Sequence, residues 1–347
     1  MAAKQRSSSD RGVRVTAARR AAAKEVAAIL KPGMRVALTT HVNSDGDGCG
    51  SVVALWHVLT GMGVRAAITN PTPFPDRYRF LLNGMERADK SDEAVKHVQR
   101  ADAIVVLDIS DCARLGHLAR VVESTRAPVA CIDHHASAGS LPDGPRMVDS
   151  EACATGELVY DLVRSMHWDL SYQVAMGLYV AIMTDTGGFR FSNTTPRTLQ
   201  VAAHLMSRGL DPEEIYRHVY SSEPENRLRL MAEVLQTLVV EPECGLAWVT
   251  VPPGALERHG LDPDDLEGIV ELPRSIRGVR LALLFRSLAN GRIKVSFRSV
   301  GDVDAARLAE GFGGGGHRRA AGASLDGDLS EVHRTVLAAA RRALCRA

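Results

Sequence analysis

Four short stretches of this chain carry residue types that bind divalent cations. They are His41-Val42-Asn43-Ser44-Asp45-Gly46-Asp47, an isolated Asp108, Asp133-His134-His135, and Asp185-Thr186-Gly187. Carboxylates packed together repel one another and raise each other's pKa unless cations neutralise them. Hard oxygen donors mixed with imidazole suit Mn²⁺ or Mg²⁺ ahead of Zn²⁺ or Fe²⁺. Each stretch alone has a plainer reading. Asp45-Gly46-Asp47 has the composition of a polar turn and lacks the spacing and final Glu of an EF-hand loop. Asp108 could cap a helix, His134-His135 could be a turn with one packed ring, and Asp185 a solvated helix end. Cation chemistry requires that all of them meet.

The elements around them supply a reason to meet. The first half alternates short β-branched runs with helical stretches, the pattern of a parallel sheet covered by helices. Candidate strands are Arg35–Thr40, Arg65–Thr69, Ala103–Asp108, Val129–Asp133 and Arg146–Val148, with helices over Val13–Leu30, Ser51–Leu59 and Arg114–Val122. Three of these strands end in or just before a candidate ligand, and in a parallel sheet all carboxyl ends share one edge. Helices are expected over Thr155–His167, Tyr172–Met183, Pro196–Ser207 and Glu223–Val239, the last as an interdomain connector. Asp185 ends the second of these, where a carboxylate faces the negative end of the helix dipole and needs a nearby cation.

After Val240 the character changes. Gly245–Val251 reads as a strand, and Val279–Leu288 and Arg292–Ser299 flank Asn290-Gly291, which suits a type I′ hairpin turn. Along the latter, Ile293, Val295 and Phe297 alternate with Lys294, Ser296 and Arg298. A glycine cluster, Gly311 to Gly316, and a helix over Leu329–Leu344 follow. The expected plan is α/β: a tail over 1–19, a parallel-sheet domain over 20–205, a helical linker over 206–240, and a smaller α+β domain over 241–347.

Composition narrows the classes. The 347 residues are 45% hydrophobic and 24% charged, too apolar for disorder. Lys+Arg is 42 against 41 Asp+Glu, so the net charge is +1 and the chain is no bulk coat for long duplex nucleic acid. No apolar run approaches the ~18 residues of a membrane span. Met1–Arg20 is polar and basic rather than a secretory signal, with Met1 to about Arg11 read as flexible. Cys49, Cys112, Cys131, Cys153, Cys244 and Cys345 form no C-x-x-C pair, so reduced thiols and a cytoplasmic location are expected. Aromatic residues make up 5%, which argues against a long stacking platform and for a substrate of a few nucleotides.

Taken in order, His41-x-x-x-Asp45-x-Asp47-x-x-Gly50-Ser51, Asp108, Asp133-His134-His135 and Asp185-Thr186-Gly187 resemble the four-motif signature of the DHH phosphoesterase family. Gly313-Gly314-Gly315-Gly316-His317-Arg318-Arg319-Ala320-Ala321-Gly322 resembles the signature of its DHH-associated C-terminal domain. The resemblance spans about residues 20–345, with Asn43-Ser44 standing where many relatives have Arg-Pro. It implies two Mn²⁺ ions (or Mg²⁺), one held by His41, Asp45 and Asp108, the other by Asp47, Asp108, His134 and Asp185. Paired ions ~3.5–4 Å apart can share a water and stabilise both oxygens of an in-line displacement. His135 is assigned to the scissile phosphate, Asp133 to orienting the histidines, and the start of the helix at Gly50-Ser51 to the phosphate end of the site.

The same resemblance implies that Gly314, Gly315, Gly316, His317 and Arg318 receive the substrate, with Arg190 and Phe191 near the nucleotide; Arg298 on the cationic face of its strand and Arg286 on the other strand could pair bidentately with phosphate or simply form a solvated sheet face. The branch it is most similar to cleaves nano-RNA and pApA to mononucleotides, removes the 3′-phosphate of pAp and, in some members, hydrolyses cyclic di-AMP. A homodimer that clasps a short nucleotide between its domains, without membrane or duplex partners, is the resulting expectation. Cleavage of pyrophosphate or polyphosphate, and a non-catalytic dinucleotide sensor, are the alternatives.

Overall fold

The computed structural model describes residues 13–136, 139–221, 223–266, 268–288 and 290–344. It divides into two compact units, Met1–Ser222 and Glu223–Ala347. The flexible stretch read at Met1–Arg11 lies outside the described residues. The tail nevertheless ends earlier than residue 19. Helix α1 (Ala17–Ala28) starts behind Thr16, whose hydroxyl accepts the Arg19 N–H, and Arg19 itself is buried. A cap of this kind satisfies one of the open N–H groups of a helix start.

The first unit is built on a five-stranded parallel sheet: β1 (Arg35–Thr39), β2 (Arg65–Ile68), β3 (Ala103–Leu107), β4 (Val129–Asp133) and β5 (Arg146–Val148), in the order β2-β1-β3-β4-β5. The order reverses between β1 and β3, the kind of switch point where open α/β sheets bind ligands. β3 and β4 are buried along their whole length, as strands covered on both faces must be. On one face Leu38, Val105, Leu107 and Ile132 pack with α2 (Gly46–Gly61), α5 (Thr155–Ser165) and α6 (Tyr172–Asp185). On the other Ile104, Val106 and Cys131 pack with α3 (Ala94–Gln99) and α4 (Ala119–Ser124). Each fully buried Leu or Ile contributes about 1.5–3 kcal/mol. Helices α7 (Pro196–Met206) and α8 (Pro212–Tyr220) complete the unit.

Two sequence expectations are corrected here. The first helix after β1 begins at Gly46, not Ser51, with Asp45 as its cap. Gly50 therefore lies in the second turn, where a Cβ would stand 2.3 Å from the Gly177 carbonyl of α6. It allows two helices to cross closely and offers no free N–H to phosphate. The helix expected over Arg114–Val122 is broken: a 3₁₀ stretch, Cys112–Leu118, is itself kinked at Gly116, φ 54°, and leads into α4.

The second unit holds a six-stranded sheet. Its strands are β6 (Val239–Glu241), β7 (Leu246–Thr250), β8 (Leu281–Ser287), β9 (Ile293–Ser299), β10 (Gly315–His317) and β11 (Ala320–Leu325), in the order β10-β11-β9-β8-β7-β6. All neighbours are antiparallel except β7 with β8. Leu283, Phe285, Val295 and Phe297 face α12 (Ala305–Glu310) and α13 (Leu329–Leu344). Ala247, Val249, Ala282 and Leu284 form the other core with Leu230 and Val234 of α9 (Glu225–Leu235). The helix expected as a connector thus packs into this unit. Short helices α10 (Ala255–His259) and α11 (Glu271–Arg274) lie in the β7–β8 connection.

The β8–β9 turn also differs from expectation. Its hydrogen bond runs from the Gly291 N–H to the Leu288 carbonyl, 3.0 Å, so Gly291 (φ 78°) ends the turn instead of filling its centre. A glycine in that left-handed position is how three-residue hairpin loops close. Cys49, Cys112, Cys131 and Cys153 are free and buried, whereas Cys244 is disulfide-bonded, which corrects the expectation of reduced thiols throughout. Among the described residues no helix is long and apolar enough to cross a membrane.

Candidate metal centre

The carboxyl edge of the parallel sheet gathers the acidic and imidazole groups. His41 follows β1, Asp45 caps α2, and Asp47 lies in its first turn. Asp108 follows β3, Asp133 ends β4 with His134 and His135 behind it, and Asp185 ends α6. Three groups of these side chains present ligand atoms all within 4.8 Å of one another: His41, Asp45 and Asp108; Asp47, His134 and Asp185; and Asp108, His134 and His135. Asp108 and His134 each belong to two groups. Asp108 has a left-handed backbone, φ 60°, uncommon without glycine and characteristic of functional positions.

The spacing inside the cluster is informative. His41 Nε2 stands 3.8 Å from Asp45 Oδ1 and 3.6 Å from Asp108 Oδ2. His134 Nε2 stands 3.7, 3.8 and 3.8 Å from carboxylate oxygens of Asp47, Asp108 and Asp185. Those gaps exceed the 2.7–3.2 Å of a hydrogen bond. They match two donors sharing an ion at bonds of about 2.0–2.2 Å. Among the described residues no lysine or arginine pairs with Asp45, Asp47, Asp108 or Asp185.

Electrostatics agree with that spacing. Burial, then the charges of Asp108, Asp185 and Asp45, hold the Asp47 carboxyl far above the ordinary carboxylate range. Burial also pushes Asp185 up to about 6, with His134 opposing and Asp108 and Asp45 adding to the rise. Burial alone would lower His41, yet the Asp108 and Asp45 carboxylates raise it to about 9. The cluster is short of positive charge, and a divalent cation is the neutralising group that fits this donor set.

The surroundings hold the donors in place. Asp47 accepts the Thr155 N–H at 2.6 Å and the Gly156 N–H at 2.9 Å, both at the start of α5, where open N–H groups favour an anion. The Ser51 hydroxyl reaches Asp47 Oδ1 at 3.2 Å. The Thr155 hydroxyl donates to Asp108 Oδ1 at 3.0 Å, and Asn193 Nδ2 donates to Asp185 Oδ2 at 3.2 Å. Asp133, fully buried, lies 2.7 Å from His135 Nδ1. That bond raises the His135 pKa, with burial and the Arg114 charge opposing. Thr155, Asn193 and Arg114 were not read as site residues in the sequence. The one available signal was Thr155-Gly156 at the start of an expected helix.

The other predicted residues divide between the two units. Arg190 donates through Nε to the Gly187 carbonyl at 2.6 Å, and the half-exposed Phe191 ring lies over Gly187. In the second unit, Lys294, Ser296 and Arg298 share one face of β9 and sit opposite Ser324, Gly322 and Ala320 of β11 and Arg286, Leu284 and Ala282 of β8. Arg298 is not free on that face: Nε donates to Glu271 at 3.1 Å and Nη1 to its neighbour's carbonyl, Phe297. Arg286 is half-buried and Arg318 exposed. Gly315 belongs to β10, while a Cβ on Gly314 or Gly316 would strike the Gly322 or Ala320 carbonyl of β11. The His317 side chain lies outside the described residues.

A parallel sheet with this acid and histidine rim, followed by the mixed-sheet unit, defines a phosphoesterase class. Residues 35–182 match the DHH family, N-terminal domain, and residues 246–344 match the DHHA1 domain. The chain is 34% identical to the bifunctional oligoribonuclease and PAP phosphatase NrnA of Thermus thermophilus, over 89% of this chain and 90% of that protein. It is 28% identical to the protein of the same name from Bacillus subtilis, over 84% and 89%. Among solved structures, an exopolyphosphatase-related protein from Bacteroides fragilis superposes with a TM-score of 0.86 at 29% identity, covering 93% of this chain and 96% of that one. This chain belongs to the DHH family and is a DHH-family phosphoesterase with a C-terminal DHHA1 domain.

Proposed function

We propose that this enzyme hydrolyses short adenine-containing nucleotides, converting nano-RNA and pApA to mononucleotides and pAp to AMP, with cyclic di-AMP as a further substrate. The observation that carries this reading is the set of donor groups sharing Asp108 and His134, in which, among the described residues, no arginine or lysine pairs with Asp45, Asp47, Asp108 or Asp185. Relatives named for oligoribonuclease and PAP phosphatase activity support the substrate class.

In this reading His41, Asp45 and Asp108 hold one divalent cation, and Asp47, Asp108, His134 and Asp185 the other, with Mn²⁺ first and Mg²⁺ second. When bound, the pair would supply a water acidic enough to lose its proton and attack phosphorus as hydroxide, and positive charge for the oxygens of the transition state. Thr155 and Gly156 hold Asp47 in place, and the Thr155 hydroxyl turns Asp108 toward its neighbours. Asp133 accepts from His135 Nδ1 and leaves Nε2 for a phosphate oxygen as charge develops there. In the second unit, the small residues Gly322 and Ala320 beside Lys294 offer a flat surface to a nucleotide, with Arg286 and Arg298 as its phosphate contacts, Arg298 exchanging its Glu271 partner for phosphate. Gly314–Gly316 and Arg318 belong to the same proposed substrate region, and His317 is assigned to it by the family resemblance alone. A cytoplasmic homodimer is part of the same proposal.

The test is a comparison of rates on pApA, pAp, cyclic di-AMP and two- to five-nucleotide RNA in Mn²⁺, with EDTA as control. Chelation should abolish turnover and Mn²⁺ restore it. A second reading, cleavage of pyrophosphate or polyphosphate, draws on the likeness to an exopolyphosphatase-related protein. Faster turnover of pyrophosphate than of pApA would replace the first reading with the second.

A further inference from the structure

The loop between β1 and α2 carries His41 and Asp45, and Asn43 stands midway between them. Asn43 has φ 51°, in the left-handed region, although it is not a glycine. A strained backbone of this kind persists only where its surroundings over-determine it, and such positions gather at functional sites. Two hydrogen bonds from remote segments hold this one. The Val42 N–H donates to the Arg114 carbonyl at 2.8 Å, and the Asn43 N–H donates to the Thr72 hydroxyl at 2.8 Å.

The Thr72 hydroxyl is offered from a stiff frame. Thr72 is half-buried between Pro71 and Pro73, in the segment that follows β2. The two rings fix φ on either side, and a residue before a proline is pushed to extended backbone. Threonine, branched at Cβ, adds a side chain with little rotational freedom. Just upstream, the Thr69 N–H and hydroxyl both donate to the Leu38 carbonyl, at 2.7 and 3.1 Å, which ties the frame to β1. The two halves of the centre therefore have separate supports. Asp47 is held from α5 by the Thr155 and Gly156 N–H groups. His41 and Asp45 lie two residues to either side of the peptide that Thr72 fixes.

We infer that Thr72 is a positioning residue for the donor group of His41, Asp45 and Asp108: its hydroxyl keeps the loop in the shape that turns His41 and Asp45 toward one cation. The Asp47, His134 and Asp185 group does not depend on it. This rests on the two-cation reading of the centre.

The experiment titrates the full chain with Mn²⁺ by calorimetry and follows pAp hydrolysis against Mn²⁺ concentration. Thr72→Val keeps the shape and removes the acceptor. It should weaken one of the two Mn²⁺ sites about fivefold, the worth of one hydrogen bond, and leave the other within about twofold. Half-activation should need about fivefold more Mn²⁺, while kcat at saturating Mn²⁺ stays within about twofold of the wild type. Thr72→Ser keeps the hydroxyl and should match the wild type. Two unchanged sites in Thr72→Val, or two sites weakened alike, would overturn the inference. So would a loss of kcat that saturating Mn²⁺ fails to recover, or a Thr72→Ser variant that behaves like Thr72→Val. A wild type that binds no Mn²⁺ sinks the two-cation reading and the role of Thr72 with it. One that binds two ions but hydrolyses none of the nucleotides sinks the substrate reading alone, and the titration still decides Thr72. If Thr72→Val does not fold, Thr72→Ala makes the same comparison.

Discussion

Two buried acidic clusters lie along α5, and they are built on opposite principles. At the start of the helix, the backbone holds Asp47 among Asp108, Asp185 and two histidines, at nitrogen–oxygen gaps of 3.6–3.8 Å. Farther along, Glu157 and Asp161 meet Arg19 at 2.6 and 2.9 Å and Arg197 at 2.9 and 2.5 Å, with Asp149 on Arg19 at 2.6 Å. The second cluster carries its own cations and makes direct, charge-assisted hydrogen bonds. It joins α1, α5 and α7, and its work is done when the chain folds. The first leaves its negative charge uncompensated and its atoms too far apart to bond one another. That difference marks the first as a receiving site and the second as a brace.

The sharpest way to break the contrast is Asp108→Ala. Loss of a carboxylate shared by two donor groups should lower hydrolysis by roughly 10³-fold or more. The circular dichroism spectrum should stay unchanged, because Asp108 is no part of the apolar core. A folded, active variant would remove Asp108 from the chemistry. The converse change is Arg19→Met, which leaves the buried Glu157 and Asp161 to share Arg197 alone and should cost about 3 kcal/mol, read from the urea midpoint. Its Mn²⁺ affinity should hold within a few-fold. A stability loss below ~1 kcal/mol would show that the brace is ornamental.

A smaller effect tests how the centre is held. Thr155→Val deletes the hydroxyl bond to Asp108 while keeping the backbone bond to Asp47. Cation affinity should fall about tenfold, as for groups that orient ligands, and Thr155→Ser should restore it. Equal affinities for Val and Ser would dismiss the hydroxyl. The smallest effect is in acid. Burial pushes the Glu157 carboxyl up, but Arg19 and Cys153 outweigh it and hold it below its ordinary 4.5. A lowered carboxyl adds stability that is present above 4.5 and is lost as pH falls through the folded value. Asp161 shifts the other way, since burial there outweighs both arginines, so the net slope is shallow. In urea midpoints from pH 6 to 3, Glu157→Gln should flatten the acid limb. A limb as steep as in the wild type would place its origin elsewhere.

Much of the site was legible because strand ends are legible. β-branched runs such as Ala103–Leu107 and Val129–Asp133 announce buried strands, and each is followed at once by a candidate ligand. The alternation on β9 likewise appears as a buried and a polar face. What failed were readings that depended on local pattern alone. Arg114–Val122 looks helical by composition, yet Gly116 breaks it. Asn290-Gly291 matches a two-residue turn, yet the turn closes one residue earlier. Gly50 looks like a phosphate-binding glycine, yet it serves a helix crossing with Gly177, a partner more than a hundred residues away.

From its own order of residues, the chain determined that strands form where they do, which carboxylates and imidazoles follow them, and that these need a cation. Side-chain type and period are properties of neighbours in sequence, so they survive without coordinates. Only the packed structure decided that Thr155, Gly156 and Asn193 hold the donors, that Arg19 and Arg197 neutralise the neighbouring acids, and that Arg114 lies against His41. Those partners are brought together by sheet order and helix packing across long stretches of chain, and no local pattern encodes a distance of 3 Å between remote residues.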